Sequence, residues 1–214
     1  MATVWFIRHA ESESNAGLPT LHPEGIELTA KGYKQAELIA RKFEEAPRLI
    51  VTSSYIRTQQ TALPSIRRFP ECRQEEWPVH EFTYLASSHN QHTTIADRRP
   101  LVYAYWERQD PFYVDGKEAE SFFDFMKRVQ KVLDHLTHFE EDFIAIFSHE
   151  QFILAVLWTL LFGPTSGDCA YAYMKRFHSF KKLFSVRNGS ILQLQLHTGK
   201  EPLFSRVIAS PEYA

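Results

Sequence analysis

Apolar positions along the chain fall into short unbroken runs and longer helical stripes, and the two alternate. Thr3 to Ile7 is an apolar run rich in β-forming residues, which predicts a buried strand stopping at Arg8 and His9. Thr29 is placed to cap a helix in which Tyr33, Ala36, Ile39, Ala40 and Phe43 recur at helical spacing. Leu49 to Thr52 predicts a second buried strand, followed by a helix through Arg57 and Thr61, and Val79 to Phe82 reads as a short third strand. From Ala86 to Lys117 no clear period holds, and a stretch that long inside a compact domain is read as a partly helical lid. Phe122, Met126, Val129, Leu133 and Leu136 then form an amphipathic helical stripe. Phe143 to Phe147 is almost wholly apolar, as expected of a central parallel strand covered on both faces, and an apolar helix runs from Phe152 to near Gly163. Asn188-Gly189, between Leu183–Val186 and Ser190–Leu196, predicts a hairpin, and Leu203 to Ile208 a last strand.

Strand, helix, strand, helix at the start of a chain predicts a parallel α/β sheet. The expected fold is an α/β three-layer sandwich: a mainly parallel central sheet, helices on both faces and an antiparallel C-terminal edge. No internal repeat, low-complexity tract or Gly/Ser linker divides the 214 residues. One domain over residues 1–214 is therefore expected, with the lid as an insertion at about residues 86–117.

Composition narrows the function classes. A formal net charge of −2, with basic and aromatic residues not interleaved, gives no platform for nucleic acid. The longest apolar run, Phe152 to Phe162, is too short to span a bilayer, so no membrane partner is expected. Cys72 and Cys169 are far apart and in no metal-ligand spacing, and MATVWFIRHAES lacks the features of a secretory signal. These point to reduced thiols and a cytoplasmic location. An exposed C-terminal hairpin edge permits a homodimer.

The candidate chemistry sits where two central strands end in histidine: Phe6-Ile7-Arg8-His9 and Ile146-Phe147-Ser148-His149. In open α/β sheets, ligands bind beyond the carboxyl ends of strands, so both histidines fall on the functional edge. His135 and His138, at helical spacing, read instead as a solvated helix face.

Arg8-His9-Ala10-Glu11-Ser12 with Asn15 resembles the signature that opens the histidine phosphatase superfamily, which includes the cofactor-dependent phosphoglycerate mutases. Leu28-Thr29-Ala30-Lys31-Gly32 with Gln35-Ala36 is similar to the family's second block, and Ser53 to Ala62, with Arg57, to its third. Glu81 lies where the family keeps its acid, Glu120-Ser121 resembles a later block, and Ser148-His149 the last. The resemblance implies a phosphomonoester hydrolase working through a phosphohistidine on His9, with no metal and no cofactor. Arg8, Asn15, Arg57 and His149 would hold the phosphate, and Glu81 would serve as proton donor and acceptor. The residue types suit the task. A neutral imidazole is not repelled by a phosphate dianion, and forked guanidinium donors match phosphate oxygens.

Two positions depart from the family pattern. Ala10 stands where glycine is usual, which a backbone turning around phosphate tolerates. Glu150 follows the second histidine, also in place of glycine, and is expected to point away or to meet a cationic part of the substrate. Ala16 to Thr20 lacks the insertion that holds a carboxylate in the mutases, which favours phosphatase over mutase. An inactive scaffold that binds phosphorylated ligands is the remaining alternative. The expected partner is a small phosphorylated substrate, with a phosphoprotein left open, and Arg98, Arg99, Tyr103, Tyr105 and Trp106 are the lid residues able to contact it.

Overall fold

Alternation along the strands sets up the layers. In the first strand, β1 (Ala2–Arg8), Val4 and Phe6 pack into one core while Trp5 and Ile7 pack into another, because successive side chains leave opposite faces of a sheet. The computed structural model describes residues 2–139, 142–196 and 203–208. Five further strands are present among them: β2 (Leu49–Thr52), β3 (Arg73–Glu76), β4 (Phe143–Ser148), β5 (Ile191–Leu196) and β6 (Leu203–Ile208). They form one sheet in the order β3-β2-β4-β1-β5-β6. The first four in that order are parallel, and β5 and β6 add an antiparallel edge.

One face is covered by α1 (Ala30–Arg41) and α2 (Ile56–Arg68), whose Ile39 and Ala62 meet Trp5, Ile7, Ile50 and Phe147. The Thr29 side chain caps α1 by accepting from Gly32 N; Ala36, Ile39, Ala40 and Phe43 of the expected stripe are buried, whereas Tyr33 is exposed and Gly32 and Gln35 are buried in its stead. The other face carries the larger core, contributed by α3 (Ile95–Arg108), α4 (Phe122–Leu136), α5 (Glu150–Phe162) and α6 (Ala170–Leu183). α5 buries Phe152 to Val156 without a break, so it has no polar stripe. No single helix among the described residues is long and apolar enough to cross a membrane.

Two expectations are corrected. The third strand is Arg73–Glu76, not Val79 to Phe82. Val79 and Phe82 are buried, but the backbone of this segment is held by side chains instead of a neighbouring strand. Ser148 Oγ donates to Val79 O, and Arg128 donates to the carbonyls of Pro78, His80 and Glu81. Leu183 to Val186 is not a strand: Leu183 ends α6, and Asn188-Gly189 turns the chain from that helix into β5. The hairpin partner of β5 is β6. Within the segment read as a partly helical lid, α3 is the main helix, started by a capping box between Thr94 and Asp97.

Candidate active site

β1 and β4 run parallel with Arg8 opposite Ser148, so the residues that follow, His9 and His149, leave neighbouring strands at the same level. Their ring centroids lie 5.1 Å apart, close to the spacing of adjacent strands, and both side chains are buried. His9 Nδ1 is 2.7 Å from the carbonyl oxygen of Ala10. A carbonyl only accepts, so the ring proton sits on Nδ1 and Nε2 keeps its lone pair. That lone pair accepts from Arg57 Nε at 3.2 Å. Burial first, then the charges of Arg57 and Arg8, hold the His9 pKa well below the ordinary histidine value.

Arg57 joins the two histidines. Its Nη2 donates to His149 Nδ1 at 3.1 Å, its Nη1 to Pro23 O at 2.6 Å, and its guanidinium lies 4.7 Å from the centroid of the Tyr55 ring. His149 therefore carries its proton on Nε2, which donates to Ser53 Oγ at 2.8 Å. Burial and Arg57 keep His149 neutral, so in the free protein it does not add the third positive group that a protonated ring would supply. Burial lowers the Arg57 pKa to about 10, which leaves the guanidinium charged at neutral pH.

The loop after β1 is anchored from several sides. Ala10 N donates to Thr61 Oγ1, and the Ala10 methyl packs with Leu28 and Ala36. Glu11 N donates to Gln35 Oε1, and Glu11 O accepts from Thr29 N. A Cβ on Gly32 would lie 2.1 Å from Glu11 O, so only glycine lets α1 come this close. Asn15 Oδ1 accepts from Ser12 and from Asn188 Nδ2, leaving its own amide nitrogen to donate outward. Asn188 also donates to His9 O and Ala10 O. Asn188 is a site residue that the sequence presents only as half of an Asn-Gly turn.

Arg8 is not brought onto His9. Its Nη1 donates to Val186 O and pairs with Glu150 Oε2 at 3.0 Å, while its Nε is buried without a partner. Glu150 thus neither points away nor awaits a cationic substrate: it binds a cation of the protein itself, and its Oε1 accepts from Val186 N.

Glu81 Oε1 accepts from its neighbour Phe82 N at 3.0 Å and from Gln151 N, in the first turn of α5, at 3.1 Å. Burial raises its pKa, with Glu150 adding to the rise against the opposing pull of the Phe82 N–H, Arg57 and Arg8. The backbone beneath it is fixed by Arg128, which is paired through two nitrogens with Glu120. Glu120 belongs to a motif visible in sequence, whereas Arg128, two turns further on, carried no signal of its own. α6 also reaches the site, with Lys181 Nζ donating to Gln151 Oε1 at 2.8 Å and its pKa lowered by burial to about 8.

Arg57 and Glu81 line a cavity of about 260 Å³, whose lining also includes Ile95, Arg98 and Val102 of α3. Tyr105 and Trp106 are instead core residues, and Arg99 and Tyr103 are exposed. A larger cavity of about 550 Å³ lies at the opposite end of the sheet, among Arg48, Arg68 and Asp142, away from both histidines. Among the described residues no three His, Cys, Asp or Glu side chains group as metal ligands.

Several solved structures share the fold across nearly the whole chain. The α-ribazole phosphatase of Shigella flexneri matches with a TM-score of 0.74 at 21% identity, covering 98% of this chain and 96% of its own. The phosphoserine phosphatase of Entamoeba histolytica, solved with 3-phosphoglyceric acid, gives 0.70 at 19% identity and 98% coverage of both chains. A mycobacterial glucosyl-3-phosphoglycerate phosphatase gives 0.69 at 21% identity, again covering 98% of both. No curated protein matches the chain in sequence. The family model of the histidine phosphatase superfamily, branch 1, matches residues 4–199, and the chain belongs to that superfamily.

Proposed function

We propose that the chain is a phosphomonoester hydrolase in which His9 Nε2 takes the phosphoryl group from a small substrate. The observation that carries this reading is the hydrogen-bond pattern of His9. Its proton is held on Nδ1 by Ala10 O, and its unprotonated Nε2 faces the Arg57 guanidinium. A bound phosphate dianion competes with His9 for that guanidinium. When Arg57 turns its donors to the phosphate oxygens, the Nε2 lone pair is released for attack on phosphorus.

The chemistry then has two balanced steps. The Nε2–P bond forms as the P–O bond to the leaving group breaks, and Glu81 gives its proton to the departing oxygen. Water next attacks phosphorus, Glu81 takes a proton from it, the N–P bond breaks, and inorganic phosphate leaves with His9 restored. The raised pKa of Glu81 supports the first role, and its ionised form the second. That the three structural relatives are all named as phosphatases supports the same class of reaction.

Release of p-nitrophenol from p-nitrophenyl phosphate by the whole chain tests the reading. His9→Ala is expected to lower turnover by on the order of 10³-fold or more while the far-UV spectrum is unchanged. Undiminished turnover in His9→Ala would refute it.

A further inference from the structure

Arg98 lines the same cavity as Arg57 and Glu81, and the residue is only 8% exposed. Arginine is seldom buried this far without a carboxylate partner. Among the described residues no carboxylate forms a close ion pair with it, although the charge of Asp97 acts on it. Nη1 donates to Thr93 O at 2.8 Å and to Thr93 Oγ1 at 2.9 Å, leaving Nη2 and Nε without a protein acceptor. The neighbouring carboxylate of Asp97 is engaged by Thr94 N and Oγ1 in the helix cap. Ile95, Arg98 and Val102 share one face of α3 and line the cavity together. Thr93, which fixes it, is itself held by the bridge to Thr20 in the loop after the signature.

We infer that Arg98 receives a second anionic group on the leaving-group half of the substrate. The substrate class is then a small phosphomonoester that also carries a carboxylate or a second phosphate. The inference rests on the phosphatase reading above. Arg57 and Arg98 line the same cavity, Arg57 in contact with His9 and Arg98 coming from α3, with Ile26 and Phe82 and the polar Ser14 and Asn90 lining it as well. With Nε and Nη2 free of protein acceptors, the guanidinium can donate to an anion bound in the same cavity.

A matched three-carbon series tests this with the whole chain: propyl phosphate, 3-phosphonooxypropanoate and propane-1,3-diol bisphosphate, with p-nitrophenyl phosphate as the reference. The wild type is expected to favour one of the two doubly anionic esters over propyl phosphate by about ten- to hundredfold in kcat/KM. Which of the two is favoured distinguishes carboxylate from phosphate. Arg98→Met is expected to collapse that ratio towards one, and Arg98→Lys to keep part of it. Equal constants for the three esters in the wild type would overturn the inference, as would an Arg98→Met enzyme slowed on all three in proportion, which marks a purely structural role. If Arg98→Met does not fold, the wild-type ratio and Arg98→Lys decide, and a ratio that Arg98→Lys leaves untouched counts against the inference. Failure to hydrolyse even p-nitrophenyl phosphate would bring down the phosphatase reading and this inference together; its hydrolysis without any preference brings down this inference alone.

Discussion

On the proposed mechanism, His9 can attack phosphorus only while Nε2 is unprotonated, and an alkoxide leaves readily only while Glu81 still holds its proton. The shifts of the two groups widen the range in which both conditions hold. Burial and the neighbouring arginines depress His9, so its loss by protonation falls below the ordinary histidine value. Burial raises Glu81, so its protonated form persists above the ordinary carboxylate range. For an alkyl phosphate, kcat/KM should therefore fall on the acid side as His9 gains a proton and on the alkaline side as Glu81 loses one. Glu81→Gln should remove the alkaline limb and lower kcat/KM, which reports the steps up to release of the leaving group, on propyl phosphate by about 10²–10⁴-fold. The loss should be much smaller on p-nitrophenyl phosphate, whose leaving group needs no proton. Equal losses on both esters, with the pH profile unmoved, would take the acid role from Glu81. His9, Arg57, Glu81 and His149 were legible because each belongs to an ordered motif. The charge state of His149 and the diversion of Arg8 to Glu150 were not. Both depend on partners distant in sequence, Arg57 for the first, and Val186 together with the side-chain direction of Glu150 for the second.

At the scale of elements, the site depends on how closely α1 approaches the loop after β1. Gly32→Ala places a methyl against Glu11 O, a backbone atom that cannot rotate away. The variant should lose about 1–3 kcal/mol, a fall of very roughly 2–12 °C in Tm by thermal unfolding. Because Glu11 is two residues from His9, kcat should fall as well; an unchanged Tm would mean that α1 can withdraw without cost. Elements with an apolar signal were readable, and those without one were not. β3 reads Arg-Gln-Glu-Glu, an edge strand whose pairing with β2 leaves no hydrophobic trace. α6 buries Ala170, Met174, Phe177 and Phe180 at helical spacing, but Lys, Arg and His lie between them and no side chain caps its start. α3 was obscured by Pro100 within the helix, although Thr94 and Asp97 stood in sequence as its capping box.

For the whole molecule, topology gathers the chemistry. β1 lies between β4 and β5, and β4 between β1 and β2, so the carboxyl ends of β1, β2 and β4 deliver His9, Ser53 and His149 to one edge. α2 then turns Arg57 back between the histidines, and the segment after β3 brings Glu81 over the start of α5. The central claim is that this edge passes a phosphoryl group through His9. Rapid quenching of the wild-type enzyme into alkali during turnover, followed by peptide mapping by mass spectrometry, tests it most directly. The account predicts an alkali-stable, acid-labile phosphoryl group on the peptide containing His9, absent from His9→Ala. A phosphoryl group on another residue, or turnover with none on His9 at any quench time, would contradict it.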